Sequence, residues 1–402
     1  MGLVSADDVA AAAKLLAGIT QVTPVANSRV LGTLVGGPVF FKCENLQRGG
    51  SFKIRGAYVR ISRLSRDERA RGVVAASAGN HAQGVALAAG LLGTAATVFM
   101  PEGAPLPKIE ATLSYGARVE LVGRTVDEAL RVAQSYAEEH GAVLIHPFDH
   151  VDIIAGQGTV GLEILDQCPQ VRTILVGTGG GGLASGVAVA VKAQRPDVRV
   201  VAVQAAGAAA FPGSLEAGHP VALPTMATMA DGIAVGRPGE ITFPHVRDLV
   251  EEVRTVSEES LSRALLLCLE RAKLVVEPAG VASVAAVLDE PGAFEPPVVA
   301  VLSGGNIDPV LLSKLIQYAM VSAGRYLSCR LRIPDRPGEL AALLQLVAAQ
   351  GANVLSVEHS RTGAQLHLGE VEIALSAETR GEEHCEALLA ALRDAGHTAI
   401  FG

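Results

Sequence analysis

No stretch of about eighteen uninterrupted apolar residues occurs in the chain, so a membrane span is not expected. Basic residues do not predominate: 33 lysines and arginines stand against 41 aspartates and glutamates, a net charge of −8. That balance argues against a nucleic-acid partner, which needs a basic face. The five cysteines, Cys43, Cys168, Cys268, Cys329 and Cys385, include no CxxC pair. An odd, dispersed set reads as reduced thiols of a cytoplasmic protein, not as a disulfide frame or a zinc site. The N-terminus carries Asp7 and Asp8 and lacks a basic segment leading into an apolar one, so no signal peptide is expected. Internal repeats and a low-complexity tail are missing as well.

What is present is a chain of 402 residues, 49% hydrophobic and 18% charged, with 44 glycines. That profile suits an α/β enzyme with a large buried sheet, and the length allows two or three domains. From residue 38 to 320, short apolar strands alternate with helices. The alternation predicts parallel sheets covered on both faces, with ligands at the carboxyl ends of the strands. Within it, Ala155-Gly156-Gln157-Gly158 reads as a loop feeding a helix over 158–167, and 205–245 as mixed short helices and loops. After Arg325 the order becomes βαββαβ in about 75 residues, a ferredoxin-like module. The expected domains are therefore 1–324 and 325–402.

Three strand-to-helix loops and one lysine carry the chemistry. Lys53 lies in Gly49-Gly50-Ser51-Phe52-Lys53-Ile54-Arg55-Gly56, with no acidic residue from Leu46 to Arg66. Desolvation and the like charge of Arg55 are both expected to lower its pKa and make it a candidate Schiff-base lysine. Gly177-Thr178-Gly179-Gly180-Gly181-Gly182 stands between a strand and a helix. Glycines let backbone N–H groups at a helix N-terminus approach a phosphate. No Gly-Lys-Ser/Thr follows, so a single phosphate is the expected ligand, not a nucleotide. Ser77-Ala78-Gly79-Asn80-His81 opens another helix, where its N–H groups could hold a carboxylate and Asn80 could donate to a phenolate oxygen. Ser303 ends the last strand of the large domain, where its hydroxyl could meet a ring nitrogen. Glu277, in an apolar stretch, is either half of a salt bridge or part of the site.

A reactive lysine, a monophosphate cradle and a partner for a ring nitrogen together imply pyridoxal phosphate. The stretches Glu44-Asn45-Leu46-Gln47, Ser51-Phe52-Lys53-Ile54-Arg55-Gly56-Ala57 and Ser77-Ala78-Gly79-Asn80-His81-Ala82-Gln83-Gly84 resemble one known group. So do Gly179-Gly180-Gly181-Gly182-Leu183 and Ser303-Gly304-Gly305-Asn306. That group is the threonine ammonia-lyase (threonine dehydratase) branch of the fold-type II, tryptophan-synthase-β-like pyridoxal phosphate enzymes. The resemblance runs from residue 5 to 320. The tail, with Asp335-Arg336-Pro337-Gly338-Glu339-Leu340 before a helix, resembles an ACT regulatory domain.

The resemblance implies roles. Lys53 carries the cofactor and later takes the substrate Cα proton, and Phe52 packs beside the cofactor. Asn80 bonds the ring hydroxyl, and Ser303 meets the pyridine nitrogen. Gly179, Gly180, Gly181, Gly182 and the Leu183 amide hold the phosphate. Ser77, Ala78, Gly79 and Asn80 bind the carboxylate of a small amino-acid substrate. In the tail, a branched-chain amino acid such as isoleucine or valine is expected between paired copies near Gly338 and Asn353, in a homo-oligomer, tetramer or dimer. Two departures from the group bear on function. Gly49 stands where a threonine is common. The stretch Gln204 to Ala210 lacks the carboxylates that bind a divalent metal in serine racemases of this fold, so no such metal is expected. Racemases also tend to carry a serine where Ala78 stands. The implied reaction is elimination of L-threonine, and of L-serine more poorly, to a 2-oxo acid and ammonia. The alternatives are a serine dehydratase or racemase of the same fold, or a non-catalytic amino-acid sensor.

Overall fold

A computed structural model of the chain describes residues 3–361 and 366–401. By packing it divides into two compact units, Met1–Asp308 and Pro309–Gly402. In chain order the strands of the first unit are β1 (Val25–Asn27), β2 (Val39–Lys42), β3 (Val73–Ala76), β4 (Ala96–Met100), β5 (Arg118–Leu121), β6 (Val143–Leu144), β7 (Thr173–Gly177), β8 (Arg199–Ala205), β9 (Glu252–Val256) and β10 (Val298–Val301). They form a six-stranded sheet in the order β1-β2-β10-β7-β8-β9 and a four-stranded sheet in the order β5-β4-β3-β6. Every pairing in both sheets is parallel except β1 with β2. The central strands β3, β7 and β10 are buried along their whole length. Their unbroken Val, Ile, Leu and Ala runs follow from helices covering both faces.

Register decides where chemistry can gather. In β10, Ala300 lies beside Leu175 of β7, and Val301 beside Lys42 of β2. The carboxyl end of β10, and with it Ser303, therefore emerges between the loop that carries Lys53 and the glycine loop after β7.

The expected loop at 155–158 is instead the interior of a helix, Val151–Gln167. Its glycines are places of contact, not breaks. A Cβ at Gly156 would lie 2.6 Å from the Cα of Gly56 and 2.7 Å from the Arg55 carbonyl oxygen. One at Gly158 would lie 2.8 Å from the Gly186 carbonyl oxygen. The helix is thus sandwiched at backbone distance between the helices Lys53–Ser62 and Gly182–Gln194. Its conformational cost is offset by that packing.

The second unit has strands β11 (Tyr326–Pro334), β12 (Asn353–Ser360) and β13 (Glu370–Glu378) in an antiparallel sheet ordered β11-β13-β12. Alternate residues of β13, Val371, Ile373, Leu375 and Ala377, face a core completed by Leu343, Val347, Leu388 and Leu392 from two helices. The strand expected at 398–401 is reduced to a single bridge, Ile400 with Arg330. The helix Pro309–Ser322 falls by packing with this unit, whereas the change in sequence pattern comes after it.

Gly156→Ala is expected to destabilise the protein by ~1–3 kcal/mol in urea unfolding, because the backbone of Arg55 and Gly56 that the new methyl would meet cannot move aside. Gly213→Ala, in the helix Ala210–Ala217 with open space around the new methyl, is expected to stabilise by ~0.5–1 kcal/mol through helix propensity alone. Equal effects at the two positions would show that close packing does not set the glycines of Val151–Gln167.

Candidate active site

Lys53 opens the helix Lys53–Ser62. Its Nζ donates to the Pro147 carbonyl oxygen at 2.9 Å and lies 5.2 Å from the centroid of the Phe52 ring. Burial lowers its pKa from 10.5 to about 8, against an opposing pull from Glu277. The expected like-charge contribution of Arg55 is not what moves it. Arg55 is fully buried and turned away into an ion cluster. Its Nε meets Glu44 at 2.7 Å, and one terminal nitrogen meets Glu163 at 2.6 Å. Lys42 completes the cluster, 2.5 Å from Glu163.

The three strand-end loops converge as their topology requires. Phe52 N–H donates to the Ser303 carbonyl oxygen at 3.2 Å, and Ser51 pairs with Gly304 as an isolated bridge. Gly305 N–H donates to the Gly50 carbonyl oxygen at 2.9 Å. Asn306 Nδ2 reaches the Gly49 carbonyl oxygen at 2.7 Å and Asn80 Oδ1 at 2.8 Å. Gly49 has φ +74°, a conformation that a threonine there would adopt only under strain. The departure at that position is therefore matched to the backbone this chain uses. Ser303 is buried, and a Cβ on Gly177 would lie 3.9 Å from its Oγ.

The glycine loop leads into the helix Gly182–Gln194. A Cβ at Gly180 would meet the Phe148 ring at 2.3 Å. At Gly182 it would meet Phe148 Cβ at 2.9 Å, and at Gly181 the Phe211 ring at 2.9 Å. At Gly179 it would meet Val235 Cγ2 at 3.0 Å. Side chains thus press against the loop where its own would be. Thr242 Oγ1 holds the Gly180 carbonyl at 2.5 Å, and Gln204 spans from the Gly179 carbonyl (3.5 Å) to the Phe211 N–H (2.9 Å). The first amides of the helix, Leu183 included, have no partner within it and sit at the positive end of its dipole.

Ser77, Ala78 and Gly79 form the turn from β3 into the helix Asn80–Leu91, with Ser77 Oγ accepting from Gly79 N–H at 3.1 Å. His81 is structural. It is buried against the Ile145 carbonyl oxygen at 2.7 Å, and burial, with Lys53 nearby, drives its pKa down to about 3. Glu277 belongs to the site: Asn80 Nδ2 donates to its Oε1 at 2.5 Å.

Sequence reasoning missed the segment after β6. Pro147 supplies the carbonyl for Lys53, and Phe148 packs on the glycine loop. The Asp149 carboxylate accepts from Glu240, Ile241 and Thr242 N–H groups at 2.8–3.1 Å, pinning the turn that holds Gly180. The signal was available, since residues 145–151 are one more strand-to-helix step of the same kind. In the second unit, Gly338 precedes the helix Glu339–Ala349 with φ +93°, and Asn353 starts β12, exposed. A cavity of about 340 Å³ beside Gly338 is lined by Pro334, Asp335, Arg336, Pro337, His359 and Arg361 among others, without Asn353.

Residues 16–304 match the family described as pyridoxal-phosphate dependent enzyme, and residues 328–397 match the ACT domain. The chain is 46% identical to the L-threonine ammonia-lyase of Thermotoga maritima, over 96% of each. Among solved structures it resembles a T.th. threonine deaminase (43% identity, TM-score 0.72, 76% of this chain and 99% of that one). It also resembles maize serine racemase (38% identity, TM-score 0.75, 80% and 99%). The residues present fit pyridoxal phosphate: a lysine amine poised near neutrality, a side-chain-free turn at a helix N-terminus for an anion, and a buried hydroxyl beside it.

With a pKa of about 8, half of Lys53 is neutral near pH 8, against about one part in 300 at an ordinary 10.5. Reductive trapping of the cofactor-free protein with a small aldehyde, read at residue 53 by mass spectrometry, is expected to rise through a midpoint near pH 8. A midpoint above pH ~10 would show that burial does not activate this amine.

Proposed function

The chain belongs to the pyridoxal-phosphate dependent enzymes and ends in an ACT domain, and we propose that it catalyses the α,β-elimination of L-threonine to 2-oxobutanoate and ammonia. The observation that carries the reading is the half-buried Lys53 amine, met by a backbone carbonyl in place of a carboxylate, among the loops that bear Ser303 and the glycines. Bound pyridoxal phosphate supplies an aldehyde that takes up the substrate amino group and an electron sink for charge developing at Cα. The chain does the rest. The amides of Gly179, Gly180, Gly181, Gly182 and Leu183 hold the phosphate, and Phe52 flanks the ring. Asn80 donates to the ring oxygen. Ser303 offers the ring nitrogen a neutral hydroxyl, which does not protonate it as an aspartic acid would. The turn Ser77–Asn80 takes the substrate carboxylate at a helix N-terminus. Lys53 Nζ, once free, removes the Cα proton, and the β-hydroxyl leaves as water. Overall one threonine yields one 2-oxobutanoate and one ammonia.

L-Serine is the expected poorer substrate, giving pyruvate. The place of action is the cytoplasm, consistent with free cysteines throughout the described residues. A homotetramer is the proposed assembly, with a branched-chain amino acid as effector near Gly338 and Asn353. The cavity beside Gly338 has a size suited to a small ligand.

Purified protein is expected to show the absorption band of bound cofactor and to accumulate 2-oxobutanoate with L-threonine. Lys53→Ala is expected to lose the band and at least ~10²-fold in rate. A band with no oxo acid would point to racemisation or sensing, and no band after added cofactor would remove the proposal. Isothermal calorimetry is expected to show isoleucine or valine binding, with a change in rate. Neither binding nor a rate change would eliminate the branched-chain effector.

A further inference from the structure

We propose that Glu277 and Asn306 are positioning residues that fix the orientation of the Asn80 amide, so that it presents an N–H to the cofactor ring oxygen. This rests on the cofactor reading above and deepens it. An amide side chain is ambiguous by itself, since rotation by half a turn exchanges donor and acceptor. Here the ambiguity is resolved by a backbone group. The Gly49 carbonyl oxygen can only accept, so the atom of Asn306 that faces it at 2.7 Å is the nitrogen. That nitrogen has a second hydrogen, which goes to Asn80 at 2.8 Å, so the Asn80 atom facing it is the oxygen. The Asn80 nitrogen must then lie on the other side, where Glu277 Oε1 accepts from it at 2.5 Å. One hydrogen of Asn80 Nδ2 remains for a ligand. The chain Gly49–Asn306–Asn80–Glu277 allows no other assignment while Glu277 accepts.

Two glycines make room for this chain. A Cβ on Gly304 would sit 2.1 Å from Glu277 Oε1 and 2.9 Å from Asn80 Nδ2. A Cβ on Gly50 would sit 2.1 Å from Asn306 Oδ1. The loops that bear Lys53 and Ser303 are thus shaped around the chain of amides as well as around the cofactor. Glu277 is 3% exposed, and a carboxylate buried so fully needs a reason. The charged groups that act on it are Asp231, Lys108 and Lys53. Burial, with Asp231, raises its pKa to about 7, against Asn80, Lys108 and Lys53. Its acceptor strength therefore changes within the working range of an enzyme.

The test uses the full-length protein freed of cofactor, with pyridoxal phosphate affinity read by titration of absorbance or fluorescence. In the wild-type background, Glu277→Ala and Asn306→Ala are each expected to weaken cofactor binding about tenfold, the size of a lost hydrogen bond to a fixed donor. In an Asn80→Ala background the same changes are expected to cost less than about twofold, because they act through Asn80. Glu277→Gln, which keeps an acceptor of the same shape, is expected to retain affinity within about threefold and to gain less affinity than wild type between about pH 6 and about pH 8.5, the gain that remains coming from the Lys53 amine. Equal losses with and without Asn80, or a Glu277→Gln variant as weak as Glu277→Ala, would overturn the proposal. Should Glu277→Ala not fold, Asn306→Ala tests the same chain from its other end and decides the matter alone. Wild-type protein that binds no pyridoxal phosphate would instead overturn the cofactor reading, a different result from intact binding insensitive to these residues.

Discussion

The site depends on keeping one half-buried cation away from the carboxylates that neutralise its neighbours. Lys53 and Arg55 are two residues apart on one helix, Arg55 fully buried and Lys53 partly so. Arg55 is surrounded by Glu44 and Glu163, and Glu163 also holds Lys42, so two positive and two negative groups close on themselves. Burial works against the charge of Glu44, but Arg55 beside it holds its carboxyl below the usual range. A buried pair of this kind costs ~3–5 kcal/mol to break from one side, which anchors the start of the helix. Lys53 is excluded from this compensation. Its contact is the Pro147 carbonyl oxygen, a dipole that orients the amine without fixing its proton. Anchoring and activation are thus separated by two residues of helix. A carboxylate moved from one position to the other would undo both.

Glycine sets the distances in the rest of the architecture. The helix Val151–Gln167 lies between Lys53–Ser62 and Gly182–Gln194, the two helices whose N-termini carry Lys53 and the glycine loop. Gly56 meets Gly156 and Gly186 meets Gly158 at backbone contact. Lys53 and the glycine loop are therefore positioned through a single intervening helix that meets both neighbours at glycine backbone, with the Gln157 side chain packed beside Gly56. Close-packed interiors transmit displacement because they do not compress. A cofactor held at both ends needs that rigidity.

The fold was legible from the strand–helix alternation, and most of the site from where that alternation is interrupted. Asn80, the glycines and Ser303 stand just after strand ends, which parallel pairing brings together, and Lys53 follows β2 after two short 3-10 turns. What misled was composition read locally. Ala155-Gly156-Gln157-Gly158 carries loop residues, yet it is helical because its partners demand bare backbone, and those partners, Gly56 and Gly186, lie far off in the chain. Arg55 looked like a neighbour of Lys53 in sequence but is none in electrostatics, since helix geometry sends the two side chains to different surroundings. Pro147 and Asp149 act through a carbonyl oxygen and through capping of a distant turn, roles that no residue-type pattern announces. Glu277 was conspicuous as a charge among apolar residues, but only its 2.5 Å contact with Asn80 separates site from salt bridge.

Eliminating and racemising enzymes share this fold, so architecture does not choose the reaction. The choice lies in which groups can move a proton and when. Racemisation needs a second acid that returns a proton to Cα, on the face away from the base that took it. Ala78, in the turn where racemases of this fold tend to carry a serine, has only a methyl group and no proton to give. As the proposed base, Lys53 would return a proton only to the face from which it took one, which would restore the starting amino acid. Without an acid at 78, we propose that the productive exit is loss of the β-substituent. The proposed contact of the Ser303 hydroxyl with the ring nitrogen bears on a different competitor, transamination: a ring nitrogen that is not fully protonated would withdraw less charge from Cα and leave more to expel the hydroxyl. The proposed preference for elimination over racemisation thus rests on what the chain lacks, an acid at 78 and metal-binding carboxylates in Gln204 to Ala210, in a scaffold that both reactions share.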